Sequence, residues 1–237
     1  MKKVLPIMLA LAMSVTVMSG CAEKKETTGD TPEEATVEKK EESGDTPEAV
    51  VEKYYDAVTD GDFEEALKYT TGDHKEEQEE KIDKDVVLEN MIEPYCDAFG
   101  VDIKDVEDDL FESYMDLQKK IQKGIDDIEI EEAEIDDDEA TVVVTLTCYD
   151  GDVVNGAIEN EALMKVFNIT SIPSNISDQI KQSFDEDQRI DYLLKYFDTM
   201  FDMMIEACKD ADTIEQELEY TLVKEDGKWL ISEKDEK

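Results

Sequence analysis

Two stretches of strict two-residue alternation, separated by a long run at helical spacing, set the tightest limit on how this chain can fold. Val142, Val144, Leu146 and Cys148 alternate with polar partners, as do Leu218, Tyr220 and Leu222. That period puts apolar side chains on one face of a half-buried strand. Each stretch has a neighbour to pair with. Ile128, Ile130, Ala133 and Ile135 lead through the acidic turn Asp136-Asp137-Asp138-Glu139 into the first, and Glu225-Asp226-Gly227-Lys228 joins the last to Trp229-Leu230-Ile231. Elsewhere the spacing is helical: Val50, Val51, Tyr54, Tyr55 and Val58; Phe63, Ala66, Leu67 and Tyr69; Val86, Val87, Met91 and Tyr95; Val106, Leu110, Tyr114, Leu117 and Ile121. Residues 157 to 209 return to helix between the two hairpins, most clearly at Ile190, Leu193, Leu194, Phe197, Phe201, Met204, Ile205 and Cys208. The expected class is α+β, with N-terminal helices on a curved antiparallel sheet and a helical insertion between two hairpins.

Local chemistry marks where the helices begin and stop. Thr46 can cap a first helix, Pro47 suits its first position and Glu48 its positive end. Asp60-Gly61-Asp62 breaks that helix, with Asp62 placed to cap the next. Pro94 interrupts the third stripe, and Gly124 follows the fourth.

The 65 Asp and Glu residues against 24 Lys and Arg leave a formal charge of −41 over 237 residues. Such a polyanion gains nothing from counterion release on a phosphate backbone and shows no basic patch, so nucleic acid is not an expected partner. Hydrophobic residues still make up 40%, enough to bury a core beneath that charge.

At the N-terminus, Lys2 and Lys3 precede the apolar run Val4 to Met18, which is shorter than the ~20 residues a bilayer span needs. Residues 1–20 read as a signal peptide. Val17-Met18-Ser19-Gly20-Cys21 resembles the lipobox of bacterial lipoproteins, with Met18 where leucine is usual. The resemblance implies cleavage before Cys21 and a diacylglyceryl group, with palmitate-type acyl chains, on its thiol. That would anchor the chain to the outer face of the cell membrane. Residues 21–45 have the composition of a disordered acidic tether, with a reach of about 25–30 Å. Its Gly29-Asp30-Thr31-Pro32-Glu33 returns as Gly44-Asp45-Thr46-Pro47-Glu48. Residues 46–237 are expected to form one α+β domain.

The opening Val50-Val51-Glu52-Lys53-Tyr54-Tyr55-Asp56-Ala57-Val58 with Gly61-Asp62-Phe63-Glu64-Glu65-Ala66, and the closing Tyr220-Thr221-Leu222-Val223-Lys224-Glu225-Asp226-Gly227-Lys228-Trp229, resemble the nuclear transport factor two-like superfamily. More narrowly, the chain is similar to Gram-positive lipoproteins of uncharacterised role that carry such a domain. The resemblance implies a cone, with a bent sheet wrapped against helices and an apolar pocket inside. Enzymes of that superfamily, isomerases and dehydratases, place acids, tyrosines or histidines in the cone, and their catalytic pattern does not transfer to this sequence.

Other residues with chemistry have bland readings that outweigh the sharp ones. His74, the one histidine, lies in an acidic stretch expected to be a loop, where a solvated imidazole offers no catalytic base. Asp150-Gly151-Asp152-Val153-Val154-Asn155-Gly156 with Glu161 approximates a calcium loop, yet Val154 sits where an oxygen ligand belongs and the glycine comes one residue late. Tyr196, Phe197, Met200, Phe201, Met203 and Met204 read as core before ligand pocket. Cys96, Cys148 and Cys208 allow at most one disulfide and read first as small core residues. No cofactor, metal or catalytic set is expected. Three functions compete: a membrane-anchored module binding a small apolar ligand or an envelope protein, an isomerase- or dehydratase-type enzyme, and an acidic module holding cations or basic partners.

Overall fold

A computed structural model describes residues 45–149 and 156–236. The expected signal peptide, lipidation at Cys21 and nearly all of the tether lie outside those residues, as does most of the calcium-like loop. Helix α1 (Pro47–Asp60) starts as its sequence dictates: Thr46 accepts from the Ala49 amide at 3.4 Å, and Gly61 ends it at φ 76°. Asp62 caps α2 (Phe63–Ala66) by accepting from the Glu65 amide at 3.0 Å. There follow α3 (Gly72–Ile82), α4 (Lys84–Val87), α5 (Glu93–Phe99) and α6 (Glu107–Gln122).

Two expectations along this stretch are corrected. Pro94 does not break the third stripe. A π-helical turn, Leu88–Ile92, joins α4 to α5, and Pro94 falls in the first turn of α5, where a missing N–H is tolerated. The acidic stretch around His74 is helix α3, and His74 is 3% exposed. Its inward stripe is His74, Gln78, Lys81 and Ile82, a helical spacing written mostly in polar residues.

The sheet comprises β1 (Asp126–Ile130), β2 (Glu134–Asp136), β3 (Glu139–Tyr149), β4 (Thr213–Glu225) and β5 (Lys228–Glu236). All pairs are antiparallel, in the order β1-β3-β4-β5 with β2 also on β3, and the sheet is open. Its spine is β3 on β4, from Glu139 opposite Val223 to Tyr149 opposite Thr213. Register shifts in β1 and in the β4–β5 pair interrupt the ladder, the kind of irregularity that bends a sheet. Helices α7 (Gly156–Phe167), α8 (Ile176–Ser183) and α9 (Glu186–Asp210) lie between β3 and β4 in sequence, as expected of the insertion. Asp185 and Gln188 form a reciprocal capping box at the start of α9.

The buried apolar residues fall into two clusters. One packs α1 (Val50, Val51, Tyr54, Tyr55) on the inner sheet face (Val142, Val144, Leu146, Leu218, Tyr220, Leu222, Ile231). The other is almost wholly helical, built from α4, the π turn and α5 to α9 with Val101 and Val106 from the connection between α5 and α6. The insertion thus completes a second core with the preceding helices instead of covering the sheet. Tyr196, Phe197, Met200, Phe201 and Met204 are buried there, so the Met- and aromatic-rich run of α9 is core. Cys96, Cys148 and Cys208 are buried free thiols, and Cys96 and Cys148 belong to different clusters.

Candidate functional site

Helix α1 lies across the sheet and brings four rings together. Tyr54 and Tyr55 meet Tyr220 of β4 and His74 of α3, with ring centroids 5.5 to 6.3 Å apart and tilted or edge-on. The Tyr55 and Tyr220 hydroxyls share a hydrogen bond of 2.7 Å. Burial pushes all three phenols up from their ordinary range, so at neutral pH they are protonated donors and not bases. Burial, helped by the charge of Lys234, lowers the His74 imidazole to about 4. It is therefore neutral, and neither of its ring nitrogens has a hydrogen-bond partner.

A cleft opens beside these rings in two adjoining lobes that share Tyr54, Val58, Phe63, Gln78 and Gln122. The larger, about 90 Å³, runs between α1 and the inner sheet face and reaches Leu146, Cys148, Gln216 and Lys234. The smaller, about 40 Å³, runs between α1, α2, α3 and α6 and reaches Lys81 and Gln118. Both are below the roughly 300 Å³ at which drug-sized sites begin. Neither lobe is lined by a carboxylate. No Asp or Glu among the described residues lines either lobe, whereas Gln78, Gln118, Gln122 and Gln216, four of the chain's seven glutamines, all do. Lys81 pairs with Glu77 at 2.7 Å, which moderates the positive charge at that rim.

The acids gather elsewhere. Glu215, Glu217 and Glu219 alternate with inward Gln216, Leu218 and Tyr220 along β4 and so share the outer sheet face, where Asp235 sits opposite Glu219. Among the described residues no group of three or more His, Cys, Asp or Glu side chains is arranged to hold a metal ion. No described helix is long and apolar enough to cross a membrane.

One further polar cluster lies within the helical core. Glu159 of α7 approaches Tyr95 of α5 and Tyr196 of α9, whose rings are 5.5 Å apart. The buried Tyr95 hydroxyl has no hydrogen-bond partner of good geometry. Burial raises the Glu159 carboxyl to about 7, the nearby Tyr95 phenol opposing that rise. A carboxyl raised from 4.5 binds its proton more tightly in the folded state, so its contribution is full below about 4.5 and is lost as pH rises through about 7. Glu159→Gln should therefore stabilise the chain above pH 7. The half-buried position and solvent screening reduce the gain to about 1–2 kcal/mol. Urea midpoints of the two proteins should diverge between about pH 4.5 and 7, and parallel curves would refute the assignment.

Of the residues singled out in the sequence for their chemistry, Cys148 alone lines this cleft. His74 proves buried against Tyr54 and Tyr220 and not solvated. Tyr54, Tyr55 and Tyr220 were legible as core and as part of a family resemblance, but a contact between residues 55 and 220 has no local signal. No protein-family model, no curated protein and no solved structure matches this chain.

Proposed function

We propose that this chain is an extracytoplasmic lipoprotein held to the cell membrane through Cys21, with a nuclear transport factor two-like domain that binds a small ligand without transforming it. The observation carrying the binding half is the cleft between α1 and the sheet, which no described carboxylate lines in a strongly acidic protein. Helices laid on an open antiparallel sheet, with a cleft between them, suit the cone that the sequence resemblance implies. The membrane half rests on the lipobox-like Val17-Met18-Ser19-Gly20-Cys21 alone.

Binding is favoured over catalysis because proton transfer needs a base near its working pH. The phenols that line the cleft remain protonated, and the His74 imidazole packed behind Tyr54 and Tyr220 is too weakly basic for that work. Methyl and aromatic resonances of the full chain, followed during addition of a small-fragment collection, test the reading. Shifts should concentrate at Tyr54, Val58, Phe63 and Leu146, and shifts scattered over the surface would overturn it. For the anchor, Cys21→Ser should move the protein from the membrane fraction to the soluble one. Unchanged partitioning would remove the lipid.

A further inference from the structure

We propose that helix α7 is a pH-controlled strap, held against α5 and α9 while Glu159 carries a proton and released from them when Glu159 is ionised. Glu159 is half-buried at the seam where α7 meets both partners, with Tyr95 beside it from α5 and Tyr196 from α9. Those two phenols are the titratable groups that act there, and no lysine or arginine acts on any of the three. Lys165, on α7 itself, pairs with Glu161 at 3.3 Å. A carboxylate at the seam therefore loses water and gains no countercharge. Its place in the first turn of α7 favours the anion through the helix dipole, and burial outweighs that. A protonated carboxyl suits the seam better, because it can donate as well as accept and the buried Tyr95 hydroxyl has no other partner of good geometry.

Of the elements that meet at this seam, α7 is the one held least firmly. Helix α9 buries seven side chains, five of them Tyr196, Phe197, Met200, Phe201 and Met204. Helix α7 buries Ile158, Ala162 and Val166, a narrow stripe with an alanine at its centre. Lifting α7 thus uncovers far less apolar surface than moving α9, and local opening follows the cheaper path. Residues 168–175, which follow α7, form no regular element and give it slack. Once its first turns rise, Glu159 regains water, and neither α5, α9 nor the sheet cluster has to move.

The direction with pH follows from the two states of the carboxyl. It sits at about 7 in the closed helix and returns to its ordinary 4.5 in the open one. Opening is therefore rarest below about pH 4.5, grows through the interval and levels off above about 7. A difference of that size permits at most a rise of about 300-fold in the open population, and partial exposure reduces it. On the outer face of a membrane, where the proposed anchor puts the chain, α7 meets the pH of the surroundings directly.

The test is amide hydrogen exchange of the full chain at about pH 5 and pH 8, expressed as protection factors so that the intrinsic pH dependence of exchange is removed. Protection in α7 should fall at least about tenfold at the higher pH relative to α9, β3 and β4. Glu159→Gln keeps the shape of the side chain and cannot ionise, so its α7 should retain the same protection at both pH values. Tyr95→Phe removes the hydroxyl that opposes the rise of the carboxyl, so its α7 should open at a higher pH than in the wild type. Unchanged protection of α7, a fall shared equally by α9, a fall that persists in Glu159→Gln, or opening of Tyr95→Phe at the wild-type pH or below it would overturn the proposal.

Discussion

Replacing His74 with phenylalanine is expected to make the fold markedly more tolerant of acid. The imidazole is lowered from 6.5 to about 4 because burial penalises its charged form. Its unfolded counterpart takes up a proton first, so the contribution is full above about pH 6.5 and lost as pH falls through about 4. At pH 4 that loss amounts to about 3 kcal/mol. Phenylalanine preserves the tilted ring contact to Tyr54 and the edge-on one to Tyr220 and has nothing to protonate. It also removes two unsatisfied nitrogens, which adds about 1–2 kcal/mol at neutral pH against a small packing cost for the larger ring. Urea unfolding of both proteins at pH 7 and pH 4 measures the difference. A variant with the wild-type acid response would show that the imidazole is hydrated in solution.

The largest loss of stability is expected from Phe197→Ala. Phe197 is 2% exposed in the helical core, with its ring 5.2 Å from Tyr95, 5.6 Å from Tyr196 and 5.5 Å from Phe201. Truncation leaves a cavity that those rings cannot close together, at about 3–5 kcal/mol. Because the apolar residues form two clusters, the damage should be local before it is global. Amide exchange should quicken first in α5, α6, α7 and α9, while β3 and β4 keep most of their protection. Simultaneous loss in strands and helices would mean that the two clusters unfold as one unit.

How much of this was legible in the sequence depends on which residues carried the signal. Thr46, Pro47, Gly61 and Asp62 fixed the ends of α1 and α2 because capping chemistry is local. Val142 to Cys148 and Leu218 to Leu222 announced strands because period two survives in any register. Helix α3 escaped because its inward stripe consists of His74, Gln78, Lys81 and Ile82, of which only the last counts as apolar. Pro94 misled for a related reason: a proline is a break unless the turn before it widens, and nothing in Leu88–Ile92 says that it will. A pocket was implied by the resemblance, but the residues that line the cleft were not legible. Its glutamines lie on α3, α6 and β4, and what distinguishes them is the company that tertiary folding brings, as with Tyr55 and Tyr220.

The pairing of β3 with β4 bears on the order in which this molecule can assemble. As the chain emerges, β1 and β2 can close on one edge of β3 at once, since only short turns separate them. The other edge must wait until α7, α8 and α9 have all appeared, because Thr213, the partner of Tyr149, comes after them. During that interval a long, Val-rich strand stands with one row of amides and carbonyls unclaimed, the condition under which chains join one another. An engineered version in which a tight turn replaced the helical excursion would close the sheet without delay. The strong net negative charge of the natural chain works against the approach of neighbouring copies while it waits.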